Sequence, residues 1–160
     1  MTNPLKKTKE IYEQRNKFLE KELKEFSILY LIINNLDIFR KNIELISEVD
    51  FSGDIMQEFK QKLIDFLLSE KSIDKQLKLE DFDNKFRILI NQINAYAPVK
   101  IIVRNKKEEE IVMIFNEVTN EIKKIDLHSK IEFLEEKVSL NLDEKLYSEL
   151  LSLRNQLKSG

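Results

Sequence analysis

The stretch 127–157, "LHSKIEFLEEKVSLNLDEKLYSELLSLRNQL", decides the fold. Leu127, Ile131, Leu134 and Val138 step by four, three and four, which lines one face of a helix. "SLNL" interrupts the pattern, and Leu146, Leu150, Leu153 and Leu157 then repeat the same steps. A connection this short makes the two helices antiparallel neighbours, so the rows predict a helical hairpin. Asn141 and Glu144 have the spacing of a capping box for the second helix. Phe133, Tyr147 and Leu151 do not belong to either row. Tyr147 and Leu151 lie four apart and stack on one strip, about 100° around the helix from the Leu146/Leu150 row. Such residues either widen the buried stripe or form a contact surface. In a two-helix hairpin no third layer exists to cover them, and Arg154, Asn155 and Lys158 supply a polar rim.

Upstream, a long helical pattern begins near Asn105. Ile111, Phe115, Val118, Ile122 and Ile125 form one seam, and Leu127 opens the next. Ile122 and Ile131 are nine residues apart, about half a rotation. The buried side therefore switches near Asp126. Either one continuous helix packs its halves on different bodies, or it breaks, with "SKIE" (Ser129 to Glu132) as the capping box of a new helix. Asp126, His128 and Ser129 mark the expected pivot, which predicts weak protection from hydrogen exchange there.

The first two-thirds of the chain reads as a helical bundle. Residues 5–19 are polar and weakly amphipathic, and 1–16 read as a linker or frayed helix. Leu19, Leu23, Phe26, Tyr30 and Ile33 line one face of a first helix, which Asn34-Asn35 stops. A second helix follows Asp37, with Phe39, Ile43 and Ile46 inward. Ser52 is placed to cap a third helix, whose buried stripe is Ile55, Phe59, Leu63 and Phe66. Residues 69–80 are polar and irregular. A fourth helix runs from about Asp81 to Ala97 through Phe82, Phe86, Leu89, Ile93 and Tyr96. Pro98 ends it, and "VKIIV" has no partner strand and reads as a buried connector. The fold expected is all-α: a bundle over 17–125, joined through a long helix to an antiparallel hairpin over 126–160.

Composition narrows the chemistry. Hydrophobic residues make up 42% of the 160, enough for a core, and charged residues make up 35% with interleaved signs. A net charge of -2 gives no pull toward nucleic acid or anionic lipid. There is no cysteine, so disulfides and thiolate chemistry are excluded, and the fit is to a reducing compartment. Two glycines and two prolines are too few for phosphate-binding loops or an all-β fold. "FSILYLIINNL" is too short to span a membrane, and the basic residues at the N-terminus have no apolar core behind them, so they do not read as a secretory signal. His128, the only histidine, has no assignable nucleophile or second ligand and reads as an exposed polar residue. "KKEEE" (Lys106 to Glu110) reads as a solvated helix start. Lys100, Arg104, Lys106 and Lys107 form a basic patch too small for a nucleic-acid site. No metal, cofactor or small-molecule substrate is expected.

The segment "EKELKEFSILYLIINNLDIFRKNIELISEVDFSGDIMQEFKQKLIDFL", the long acidic helix and the terminal "LLSLRNQLK" together resemble the C-terminal, helicase-binding domain of bacterial DnaG-type primases. The resemblance covers about residues 17–158 and rests on apolar spacings rather than catalytic motifs. It implies a cytoplasmic bacterial domain that does no chemistry. Such a domain docks on the N-terminal domains of the hexameric DnaB-type helicase and couples priming to unwinding, without binding nucleic acid or membrane itself. It also implies that polymerase and zinc-binding domains lie upstream in a longer protein. Carried onto this chain, the docking residues are Phe133, Leu140, Leu142, Tyr147, Leu151, Arg154, Asn155 and Lys158. The N-terminal domain of the DnaB-type helicase is similar in pattern over residues 20–97 and stands as an alternative. A stand-alone helical regulator or oligomerising protein, and an enzyme with a carboxylate site, are the readings outside that family.

Overall fold

The computed structural model describes residues 19–69, 77–103, 105–140 and 143–159. Every element among them is helical: α1 Glu20–Asn34, α2 Leu36–Arg40, α3 Ile43–Ser47, α4 Asp54–Leu68, α5 Asn84–Tyr96, α6 Glu108–Leu140 and α7 Glu144–Ser159, with 3-10 turns at Leu79–Asp81 and Pro98–Ile101. The chain falls into two compact units, Met1–Val118 and Thr119–Gly160.

In the first unit α1 is the central element. It packs against α2, α5 and the Pro98–Ile101 turn. Phe26, Ile28, Leu29, Leu31 and Ile32 are buried and point in several directions around its axis. A helix that is apolar on all sides belongs inside a bundle. The single face expected from Leu19, Leu23, Phe26, Tyr30 and Ile33 is therefore too narrow: Leu19 precedes the helix and is exposed, while Tyr30 and Ile33 are half-buried. Buried Ser27 donates its hydroxyl to the Leu23 carbonyl at 3.2 Å and accepts the Val99 N–H at 3.4 Å, so both polar groups keep partners.

Asparagine ends helices here by a repeated device. Asn34, Asn35 and Asn42 donate their side-chain amides to the carbonyls four residues back, at 2.9, 2.9 and 2.8 Å. Those of Leu31 and Ile38 are carbonyls left without a backbone partner where a helix stops. Asn35 closes α1 as expected. Asn42 does the same to the second helix, which is split into α2 and α3; Phe39 and Ile46 remain buried, one from each.

Ser52 does not cap α4. Gly53 holds that position, and Ser52 turns instead to Glu25 of α1. The buried face of α4 is Met56, Phe59, Lys60, Leu63 and Leu67. It shares Phe59 and Leu63 with the expected stripe, but Ile55 is exposed and Phe66 half-buried. The face is rotated by about one residue because α4 packs against α2, α3 and α5 rather than one partner. Phe59, Phe82 and Phe86 form an aromatic cluster, with centroids 5.7 Å apart for both Phe59 pairs and 6.4 Å for Phe82–Phe86. Such spacings favour tilted or edge contacts.

α5 begins at Asn84 rather than Asp81, which lies in the preceding 3-10 turn. Arg87 secures that turn by donating to the Phe82 carbonyl at 2.8 Å and the Glu80 carbonyl at 3.3 Å. After Pro98 the expected buried connector is anchored by Val99 alone, with Ile101 and Ile102 exposed. Asn105 adopts a left-handed φ of 59°, which asparagine tolerates better than most residues. This delays α6 to Glu108, where Glu108, Glu109 and Glu110 suit the positive end of the helix dipole. Ile111 and Phe115 are buried, and Phe115 meets Phe39 at 5.0 Å.

α6 is one continuous helix of 33 residues. Of the two alternatives left open by the sequence, the unbroken one is observed, and "SKIE" starts no new helix.

Candidate protein-docking surface

The second unit is built on one apolar seam. Ile131, Leu134 and Leu150 are its buried centre, and Leu127, Val138, Leu146, Leu153 and Leu157 pack against them half-buried. These are the two rows read from the sequence. Their pairing follows from spacing alone, since residues three and four apart fall on one helix face. Asp143 starts α7: its carboxylate accepts the Lys145 N–H at 2.9 Å and its carbonyl accepts the Tyr147 N–H at 3.0 Å. An aspartate there also favours the dipole of the helix. Asn141, the expected cap, lies outside the described residues.

The residues left over from the seam are at the surface. Phe133 is 57% exposed, Tyr147 50% and Leu151 42%, whereas the neighbouring Leu150 is 2% exposed. Leu140 is exposed as well, and so are Arg154, Asn155 and Lys158. Leu142 lies outside the described residues.

These residues do not form a single patch. Tyr147 and Arg154 are seven apart, two turns along one line of α7, with Leu151 between them. Arg154 donates to Glu135 of α6 at 2.6 Å, so this strip lies on the Glu135 side of the seam. Phe133 is two residues from Glu135, about 200° around α6, and therefore lies on the other flank. Leu140 is seven residues from Phe133 and shares its line. The Lys137 ammonium sits 4.4 Å from the Phe133 ring centroid, a cation–π contact that covers part of the ring. The exposed apolar surface is thus two strips: Tyr147–Leu151 with Arg154 and Lys158, and Phe133–Leu140 under Lys137.

Glu135 and Lys137 were not singled out in the sequence. The Phe133–Lys137 spacing of four was a readable signal. The Glu135–Arg154 pair was not, because it depends on the register of one helix against the other.

The expected pivot residues occupy the unbroken middle of α6, with Asp126 half-buried and His128 and Ser129 exposed. Elsewhere, Lys106 of the basic patch pairs with Glu110 at 3.4 Å, and Arg104 lies outside the described residues. Among the described residues no three His, Cys, Asp or Glu side chains gather as a metal site. A groove of 200 Å³ is lined by Lys62, Phe66, Asp81, Phe82, Asp83 and Phe86. No described helix is long and apolar enough to cross a membrane.

No protein-family model, curated protein or solved structure matches this chain.

Proposed function

We propose that this chain is a non-catalytic interaction domain that docks on the N-terminal domains of a DnaB-type hexameric helicase. In this reading it is the C-terminal part of a bacterial DnaG-type primase, acting in the cytoplasm to hold the primase beside unwound template. An N-terminal helical bundle is joined through α6 to an antiparallel hairpin, and the hairpin is the docking arm. The observation that carries the reading is the exposure of Tyr147 and Leu151, one turn apart, beside the buried Leu150. An exposed apolar strip with a charged border suits a protein contact. Tyrosine suits such a surface because it is apolar in body and polar at its tip. The choice of helicase as partner rests on the resemblance over residues 17–158.

The strip on α7 is the primary contact, with Arg154, Asn155 and Lys158 at its border. Phe133 and Leu140, on the far flank, belong to the docking set only if the helicase reaches around α6. The test is a titration of the chain with a DnaB-type N-terminal domain. Tyr147→Ala with Leu151→Ala should weaken binding by about 2 kcal/mol or more, as truncation of central contacts does, with an unchanged helical spectrum. Unchanged affinity in the double variant removes the strip from the interface. Absence of binding by the unaltered chain, together with a concentration-dependent dimer that buries Tyr147, would replace the helicase by a second copy as its occupant.

A further inference from the structure

Among the described residues the buried charged side chains are Glu25 and Lys60, and both serve one short segment of the first unit. The Glu25 carboxylate, fully buried on α1, accepts the Ser52 N–H at 2.7 Å and the Ser52 hydroxyl at 2.6 Å. The Lys60 ammonium, on α4, donates to the Ser47 carbonyl at 2.9 Å and the Val49 carbonyl at 2.7 Å. Gln57 of α4 accepts the Phe51 N–H at 2.9 Å. Residues 47–52 are thus fastened by side chains reaching out from two helices. Val49 and Phe51 face inward, and Glu48, Asp50 and Ser52 are exposed.

This fastening differs in kind from the packing around it. Charge-assisted hydrogen bonds are strong while closed. Yet a buried ion regains its hydration when its cover lifts, which offsets part of that strength on opening. The apolar hold on the segment comes from Val49 and Phe51. The helices beneath are held by continuous backbone ladders and by the packing of Phe59, Leu63 and the α1 core.

We infer that residues 48–52 form a strap that opens as a unit while α1, α4 and α5 stay folded, and that Glu25 is its latch. Opening carries Phe51 into solvent and returns Glu25 and Lys60 to water. The first unit thereby has a second state that presents two apolar side chains, Val49 and Phe51, and two charges absent from the closed surface. This does not depend on the docking role proposed for α7.

Native-state hydrogen exchange on the full chain tests it. Sub-global opening gives amides that exchange faster than the core and with a smaller denaturant dependence than global unfolding, since less surface is exposed. The Phe51 and Ser52 amides should behave so, against slow, denaturant-dependent exchange at Leu29 and Leu63. Glu25→Gln removes the charge from the latch and should speed exchange at Phe51 and Ser52 by about tenfold, the difference between a charged and a neutral acceptor. Leu29 and Leu63 should keep their rates. Equal rates and equal denaturant dependence across all four amides in the unaltered chain overturn the strap. Equal acceleration everywhere in the variant does so too. Should Glu25→Gln fail to fold, Ser52→Ala decides: it deletes the hydroxyl bond at an exposed residue, and a rise confined to residues 48–52 supports the strap while a uniform rise refutes it.

Discussion

The two compact units bury helices to very different degrees. In the first, α1 is wrapped by α2, α5 and a 3-10 turn, and leucine, isoleucine and phenylalanine point inward from most sides of it. In the second, a single row on α6 meets a single row on α7, and among the described residues Ile131, Leu134 and Leu150 are the buried members of that seam. A wrapped helix commits nearly every apolar side chain to the core. A helix with one neighbour keeps two open flanks, and apolar residues there stay in water. Exposed apolar side chains are therefore expected in the second unit by construction; what distinguishes Tyr147 and Leu151 is that they stack one turn apart beside a charged border.

The contrast is broken most directly in the first core. Phe39 is fully buried and meets Phe115, so Phe39→Ala should cost about 3–5 kcal/mol. Urea titration of the full chain measures it. A loss under about 1 kcal/mol would mean that the wrapped core collapses around the gap and is less tightly packed than its burial implies.

Leu150→Ala tests the seam. It removes one of three buried residues, and about 2–4 kcal/mol is expected. The lower part of the range for a buried leucine applies, because the half-buried neighbours can close over the gap. Exchange at α7 amides is the readout. The adjacent Leu151→Ala should change stability by less than about 0.5 kcal/mol, as an exposed site does; under the docking role proposed above it acts on partner affinity instead. Residues 150 and 151 thus separate folding from docking across one peptide bond. Equal destabilisation by both would mean that the strip is covered within the domain.

Much of this was readable from spacing. The row Leu127, Ile131, Leu134, Val138 and its partner on α7 appear in the apolar cluster as read, because a two-helix seam is a local pattern with one answer. The α4 face and the α1 core were read too narrowly. Their burial is set by helices distant in sequence, which periodicity within one helix does not reveal. Ser52 shows the same limit. Its position suggests a cap, but a buried carboxylate 27 residues away competes for it. The two-sided distribution of Phe133 and Tyr147 needed the Glu135–Arg154 register, and spacing within either helix is silent on it.

Phe133→Ala sharpens the difference between the flanks. If the proposed partner covers the Glu135 side alone, this change leaves affinity within about 0.5 kcal/mol of the unaltered chain. A loss comparable to that of Leu151→Ala would mean the partner contacts both sides of the seam. Lys137→Ala separates the ring from its cover: it withdraws a cation–π contact worth about 0.5–1 kcal/mol at an exposed site, and exposes the ring fully.

The smallest effect expected is that of the ion pair, and it resolves an ambiguity in the docking strip. Arg154 and Glu135 remain 44% and 46% exposed, so their bond should add only about 0.2–1 kcal/mol to stability and weaken with salt. Arg154 was assigned to the border of the docking surface, but here its guanidinium is engaged within the domain. Two roles are open to it, and they predict opposite results for Glu135→Gln. If Arg154 reaches the partner, neutralising Glu135 frees it, and affinity holds or rises while Arg154→Ala lowers it. If the pair instead fixes α7 against α6 so that Tyr147 and Leu151 are presented correctly, both single changes lower affinity alike and the double change adds nothing further. A double-mutant cycle read on affinity and on stability separates these, because residues acting as one unit are non-additive.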